Sequence, residues 1–222
     1  MVKILSIDVG IKNLAYCILD NENTIYHWGI FNIMNRFVHE HTCEGYKKSG
    51  ESCSHKASYH KNNEYYCSRH KKIKSKKIKK IRCKDISIND LSLEIIRVLD
   101  ENVFLLDVET VLIENQPCLQ NPRMKTIQII LYTYFEIRGI VDSGKINKVL
   151  LYSARKKLEV YKGEPIECNF SDKYRRRKYL SVEYCKRMVK EEYLDIFNNS
   201  KKKDDLADAY LQGKYFIEKH FG

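Results

Sequence analysis

The sequence contains no stretch of about 20 apolar residues, the length that a helix needs to cross a bilayer. Its first ten residues, MVKILSIDVG, are apolar too briefly for a signal peptide and reach Asp8 too soon. We therefore expect an intracellular protein with no membrane partner.

Acidic residues are scarce relative to basic ones. The chain has 29 Asp and Glu against 40 Lys and Arg, which gives a formal net charge of +11. Such a surplus favours a polyanionic partner, most often nucleic acid, although a solvated basic surface is the alternative. With 43% hydrophobic residues, the 222 residues suffice for one core domain with a small insert.

The eight cysteines fall into two groups. Without a signal peptide, clustered cysteines favour a metal site and scattered ones favour reduced thiols. Cys17, Cys118 and Cys185 stand among apolar residues and are predicted to be buried thiols. The others include a cluster near the histidines of residues 40–70.

The hydrophobic pattern predicts a core of residues 1–39 and 86–222, interrupted by an insert at 40–85 that lacks apolar periodicity. The predicted strands are 2–9, 13–20, 24–31, 109–115 and 146–152. The predicted helices are 91–101, capped by Asn89 or Asp90, then 123–138, 177–194 and 204–219. A meander followed by alternating strands and helices predicts a mixed five-stranded sheet with helices on both faces.

Four acidic residues have unusual positions. Asp8 and Glu114 each end an apolar strand, and Asp205 and Asp208 lie three apart on one helical face. A carboxylate in such a strand is costly to bury unless it is paired or binds a metal, and oxygen ligands suit Mg²⁺ or Mn²⁺. Singly, each acid has a structural alternative: Asp8 as the cap of the turn at Gly10, and Asp204, Asp205 and Asp208 as a helix start favoured by the helix dipole.

Three segments resemble motifs of the RuvC-like Holliday junction resolvases found in poxviruses, large DNA viruses and fungal mitochondria. SIDVGIKNLAY resembles the first motif, VLIENQP the second and KKKDDLADAY the last. The resemblance implies metal ligands at Asp8, Glu114, Asp205 and Asp208. It also implies a contributing basic residue, for which Lys178 in RRRKYLSVEYC is the best match and Lys173 and Arg177 are alternatives.

What this resemblance implies is a ribonuclease H-like fold, Mg²⁺-dependent phosphodiester hydrolysis by two metal ions, branched DNA as substrate and a homodimer. The helix at 123–138 is the expected dimer interface, unless its apolar face merely covers the sheet. If the chain is viral, it is expected to act at the site of viral replication in the host cell.

The insert contains the pattern C-x9-C-x13-C-x2-H, formed by Cys43, Cys53, Cys67 and His70. Thiolates with an imidazole favour tetrahedral Zn²⁺, which would supply the stability that this polar segment lacks. His55, His60 and Cys83 are alternative ligands, and an unconnected polar loop is the alternative to any site. The basic run 69–84 is predicted to contact phosphates, with a nuclear-targeting tract or a solvated helix as alternatives.

The predicted function is therefore a structure-selective endonuclease that resolves four-way DNA junctions. The alternative is a zinc-containing protein that binds nucleic acid without cutting it. An actin-like ATPase is disfavoured because the nine glycines form no phosphate loop. A transposon-type RNA-guided nuclease is disfavoured because its zinc element usually falls between the second and third acids.

Overall fold

The computed structural model describes residues 1–38, 40–119 and 121–222. The chain divides into two compact units, a core unit of Met1–Ile33 with Ile88–Gly222 and an insert unit of Met34–Ser87. The insert unit contains the predicted insert 40–85, while residue 39, where the first predicted boundary falls, lies outside the described residues. Within those residues, no helix is long and apolar enough to span a membrane.

Within the described residues, eight strands form two sheets. They are β1 (Lys3–Asp8), β2 (Leu14–Asp20), β3 (Ile25–Phe31), β4 (Tyr59–Lys61), β5 (Glu64–Tyr66), β6 (Lys76–Lys77), β7 (Thr110–Glu114) and β8 (Lys148–Tyr152). In the core unit the order is β3-β2-β1-β7-β8, with an antiparallel meander of β1 to β3 and parallel pairs of β7 with β1 and β8. The predicted mixed five-stranded sheet is confirmed.

The part of the chain that the structure describes also forms five α-helices. They are α1 (Ile88–Asp100), α2 (Pro122–Tyr134), α3 (Lys173–Met188), α4 (Leu194–Asn199) and α5 (Lys203–His220). A π-helical segment, Phe135–Asp142, continues α2. The predicted caps Asn89 and Asp90 are wrong, because α1 already begins at Ile88. The helix predicted at 177–194 instead begins at Lys173, where the Asp172 side chain accepts a hydrogen bond from Arg175 N.

Both faces of the core sheet are buried. Ile4 and Leu112 pack in one cluster with Leu206 and Tyr210 of α5. Alternate residues point to the opposite face, where Leu5, Ile7, Val111 and Ile113 are at most 2% exposed. Helix α2 contacts β7 and β8. Its apolar residues Ile127, Leu131 and Tyr134 are buried within the monomer, so the face expected to form a dimer interface covers the sheet instead.

Helix α5 is held tightly against the sheet. Gln212 Nε2 donates hydrogen bonds to Ser6 Oγ at 3.1 Å and to Ile7 O at 3.3 Å. Trp28 Nε1 donates to Leu206 O at 3.1 Å, which fixes the first turn of the helix to β3. A Cβ on Gly213 would lie 2.6 Å from Leu19 Cδ2, so a larger residue would force the buried Leu19 side chain to shift. These contacts fix the acidic first turns of α5 relative to β1.

The insert unit contains the three-stranded sheet β5-β4-β6. Asn62 and Asn63, both with positive φ, form the two-residue turn between β4 and β5. The basic run 69–84 forms no α-helix; it contains β6 and a 3₁₀ turn at Cys83–Asp85.

Two of the three predicted buried thiols are buried. Cys17 and Cys185 have no exposed surface and pack in the cluster beneath α5. Cys118 is exposed, so that prediction is wrong. Its apolar neighbour Leu119 is also exposed, because both follow β7 in an irregular segment that has left the sheet.

Candidate functional site

Two carboxylates meet at the carboxyl ends of adjacent parallel strands. The register of β1 and β7 pairs Ile7 with Ile113, so Asp8 and Glu114 are the next residues on neighbouring strands. Their carboxyl groups share a hydrogen bond, and Gln116 Nε2 donates another to Glu114 Oε2 at 2.7 Å. This pair was predicted from the acids that end otherwise apolar strands.

Asp208 lies near this pair, on helix α5, which covers one face of the sheet. Burial, followed by the negative charge and hydrogen bond of Glu114 and the charge of Asp208, raises the pKa of Asp8 well above its ordinary value. Ser181 Oγ donates a hydrogen bond to Asp208 Oδ1 at 2.5 Å. Three acids from β1, β7 and α5 therefore repel one another at one end of the sheet, and a cation would relieve that repulsion.

A buried lysine that the sequence reasoning missed lies against these acids. Lys157 Nζ is 2.9 Å from Asp208 Oδ1, and its side chain is 8% exposed. Its charge lowers the pKa of Asp8, opposing the larger effects of burial and the two acids. Lys157 stands among the basic residues of RKKLEV, far along the chain from each acid, and no local pattern distinguishes it from Lys156.

Two further predicted site residues, Asp205 and Lys178, interact with Asp204 at the start of α5. Lys178 forms an ion pair with Asp204. Although burial acts to lower the pKa of Lys178, the hydrogen bonds with Asp204 and Tyr174 raise it above its ordinary value. Burial and the charge of Asp204 raise the pKa of Asp205. Asp204 is thus a neighbour of the site that the motif comparison did not single out.

A cleft of about 420 Å³ opens over these groups. Its walls combine the carboxylates of Glu114 and Asp208 with four basic side chains, Lys157, Lys173, Arg177 and Lys178. Tyr174 also lines it. Such a cleft can accept an anion beside a cluster of acids, which is the arrangement that a phosphodiester and its metal ions require.

The donor set fits a hard divalent cation. Only carboxylate oxygens are offered, as Mg²⁺ and Mn²⁺ prefer. Within the described ranges, Asp205 Oδ2 is buried without a hydrogen-bond partner. Among the described residues, however, no three of these acids have carboxylate oxygens within 4.8 Å of one another. The acids therefore form an electrostatic cluster rather than a closed ligand shell.

The insert unit does bring such a ligand set together. The ligand atoms of Cys43, Cys53, Cys67 and His70 all lie within 4.8 Å of one another. His70 Nδ1 is 3.4 Å from Cys43 Sγ and 3.5 Å from Cys67 Sγ. In a tetrahedral zinc site, metal–ligand distances of about 2.3 Å for sulfur and 2.0–2.1 Å for nitrogen imply sulfur–nitrogen distances similar to these. The predicted Cys₃His group is therefore present and indicates a zinc site.

Backbone geometry supports this group. Gly45 N donates to Cys43 Sγ at 3.4 Å, as amides beside a metal-bound thiolate do. A Cβ on Gly45 would lie 2.7 Å from His70 Cβ, so glycine is required for the histidine to reach its place. His60 and Cys83 are outside the group, and His55 Nδ1 lies 3.4 Å from Cys53 Sγ as a neighbour.

The model of the poxvirus A22 protein family matches residues 69–219. The chain belongs to this family. An uncharacterized protein of Acanthamoeba polyphaga mimivirus is 34% identical over 239 residues, covering 93% of this chain. The chain spans 57% of that relative's length. The resemblance of the motifs to RuvC-like Holliday junction resolvases is confirmed for this A22 family member.

Solved structures agree on the fold of this A22 family chain. The yeast mitochondrial Holliday junction resolvase is 20% identical, with a TM-score of 0.50 over 97% of this chain and 79% of its own. Fowlpox virus resolvase, solved with Holliday junction DNA, is 16% identical, with a TM-score of 0.50 and complete coverage of both chains. The core unit is therefore ribonuclease H-like, as predicted.

Proposed function

We propose that this A22 family protein is a structure-selective endonuclease that resolves four-way DNA junctions. The observation that carries the proposal is the convergence of Asp8, Glu114 and Asp208, from two parallel strands and a helix, beside a cleft with basic walls that Glu114 and Asp208 line. Family membership supports the choice of reaction, and the DNA-bound fowlpox neighbour supports the choice of substrate. Because the matched family and the mimivirus relative are viral, we expect it to act where viral DNA replicates.

Asp8, Glu114 and Asp208, with Asp205 beside them, would hold Mg²⁺ or Mn²⁺. A pair of such ions would activate a water molecule and stabilise the leaving oxygen of the phosphodiester. Lys157 orients Asp208 and offsets part of the negative charge before DNA enters. Lys178, Lys173 and Arg177 contact phosphate oxygens of the strand in the cleft, with Lys178 held in place by Asp204.

The insert unit would supply most of the electrostatic attraction to DNA. Residues 34–87 hold fifteen Lys and Arg against five Asp and Glu, a formal net charge of +10 out of +11 for the whole chain. Zn²⁺ bound to the Cys₃His group would order this segment, since few apolar residues are buried in it. Its lysines would then contact phosphates without reading sequence.

A homodimer would provide the two symmetric cuts that resolution of a four-way junction requires. The outer side of α2 and the π-helical segment exposes Ile129, Ile137, Ile140 and Val141. These side chains, rather than the buried face of α2, are the proposed contact between protomers.

The decisive experiment compares cleavage of a labelled four-way junction with that of a linear duplex of the same sequence in Mg²⁺. We expect paired, symmetric nicks in the junction and little cutting of the duplex. Salt-sensitive junction binding with no cutting at any Mg²⁺ or Mn²⁺ concentration would instead establish a non-catalytic zinc-containing binding protein.

A second prediction concerns Lys157. We expect Lys157→Met to reduce the cleavage rate by about 10²-fold, because Asp208 loses its ion pair and its fixed orientation. The matched control is Lys156→Met, which removes an exposed lysine paired with Glu159 and should leave the rate unchanged. Single-turnover kinetics with saturating enzyme would separate the two variants. Equal cleavage rates for the two variants would show that Lys157 has no role at the site.

A further inference from the structure

The insert unit presents one apolar side chain on a tight turn among lysines. The backbone turns between Lys72 and Ser75, and Ser75 N donates to Lys72 O at 3.1 Å. Ile73 lies at the tip of this turn and is 85% exposed. Single exposed apolar residues are common on protein surfaces, so the surroundings of Ile73 decide whether it has a role.

The base of the turn is held on both sides. Lys72 Nζ pairs with Glu64 at 2.9 Å and lies 4.7 Å from the centre of the Tyr66 ring. Before it, His70 belongs to the Cys₃His group, and after it β6 pairs with β4. Lys74 has a φ of 63°, a backbone conformation that residues other than glycine rarely adopt unless the surrounding structure imposes it. These contacts hold the base of the turn in place and leave Ile73 exposed at its tip.

The charges around the tip favour a polyanionic partner. The segment 71–80 contains seven lysines and no acid. Lysines on both sides of an apolar tip suit a double helix, because they can contact phosphates while the apolar side chain reaches the base stack. Apolar wedges of this kind, isoleucine among them, enter between base steps and partly unstack them. A branch point has interrupted stacking, which lowers the cost of that step.

We propose that Ile73 is a wedge that enters the base stack of branched DNA when the insert unit binds. This inference rests on the proposed function for its substrate and adds a structural role for the insert. Lys71, Lys74 and the following lysines provide affinity, and Ile73 provides the preference for DNA that is already unstacked.

The test uses the full-length zinc-loaded protein carrying Asp8→Asn, so that the junction stays intact. Four-way junctions carry 2-aminopurine at the branch point or, in a second series, at successive positions along one arm. Binding should raise the fluorescence severalfold at a position next to the branch point. Ile73→Ala should abolish that rise and weaken junction binding by about five- to tenfold, with the salt dependence of binding unchanged.

Control variants separate the wedge from general effects. Ile73→Leu should keep the fluorescence rise, and Val103→Ala, which shortens a 70% exposed apolar residue of the core unit, should not alter it. Zinc content measured for each variant confirms that the insert unit has folded.

Several outcomes would overturn the wedge. They are no rise at any probe position, a rise unaffected by Ile73→Ala, or Ile73-dependent binding to phosphatidylserine vesicles without a fluorescence response to DNA. The proposed function fails separately, if the wild-type protein neither cuts nor preferentially binds junctions.

Discussion

Asp8→Asn should reduce junction cleavage by about 10³-fold or more while junction binding is retained. The substitution keeps the side chain's size and removes one anionic metal ligand, and the metal contribution to such reactions is several kcal/mol, each 1.36 kcal/mol being a tenfold rate change. Single-turnover cleavage in Mg²⁺ and a gel-shift titration in EDTA measure the two effects. Undiminished cleavage would refute the assigned site.

The same variant should be more stable than the wild type in EDTA at neutral pH. Burial, Glu114 and Asp208 raise the pKa of Asp8, so ionised Asp8 opposes folding above the pKa that it has in the unfolded chain. Asparagine removes that opposition, and the midpoint of thermal unfolding should rise. The difference should shrink as pH falls and the wild-type aspartic acid becomes protonated. A structural cap at Gly10 would predict the reverse, a lower midpoint.

Asp20→Asn is the matched control for Asp8→Asn, because Asp20 also ends an apolar strand. Its carboxylate accepts hydrogen bonds from Glu22 N, Thr24 N and Tyr26 Oη, each at 2.9 Å. We expect this variant to lose about 1–3 kcal/mol of stability while its remaining folded protein cleaves normally.

Cys67→Ser should release the zinc and unfold the insert unit while the core unit stays folded. Metal binding contributes about 10–16 kcal/mol in small zinc domains, and the buried side chains of this unit are largely the three cysteines themselves with Ala57 and Tyr66. Zinc content should fall from about one ion per chain to nearly none. Limited proteolysis should then cut within 34–87, and junction affinity should drop.

Cys83→Ser is the control for the zinc prediction. Cys83 belongs to the same unit but lies outside the Cys₃His group, so this variant should keep its zinc and its resistance to protease. Zinc retained by purified Cys67→Ser, or lost equally from Cys83→Ser, would contradict the ligand assignment.

The sequence was sufficient for the core sheet because each strand is a short apolar run bounded by turn residues. It was also sufficient for the Cys₃His group, whose final cysteine and histidine are close in the chain. Position at the end of an apolar strand does not distinguish Asp8 from Asp20; the motif around Asp8 does, and Asp20 accepts its hydrogen bonds from residues two to six positions along the chain. Lys157 was missed because its role comes from Asp208, which tertiary packing brings to it.

The predicted helix boundaries were wrong where side-chain capping competed with apolar periodicity. The apolar pattern of residues 177–194 suggested one helix, but Asp172 starts α3 earlier and Val189 adopts an extended conformation that ends it. Side-chain caps and single extended residues outweigh a weak periodic signal, because each acts directly on the backbone.

The parallel register of β1 and β7 limits where this chain can gain or lose residues. Side chains alternate between the two faces of a strand, so one residue added inside either strand would turn Asp8 or Glu114 toward α2 and away from α5. The connection between β3 and α1 carries no such constraint, and it is there that the insert unit of Met34–Ser87 interrupts the core. Changes in length among related proteins should therefore accumulate in that connection and be absent from the two acid-bearing strands.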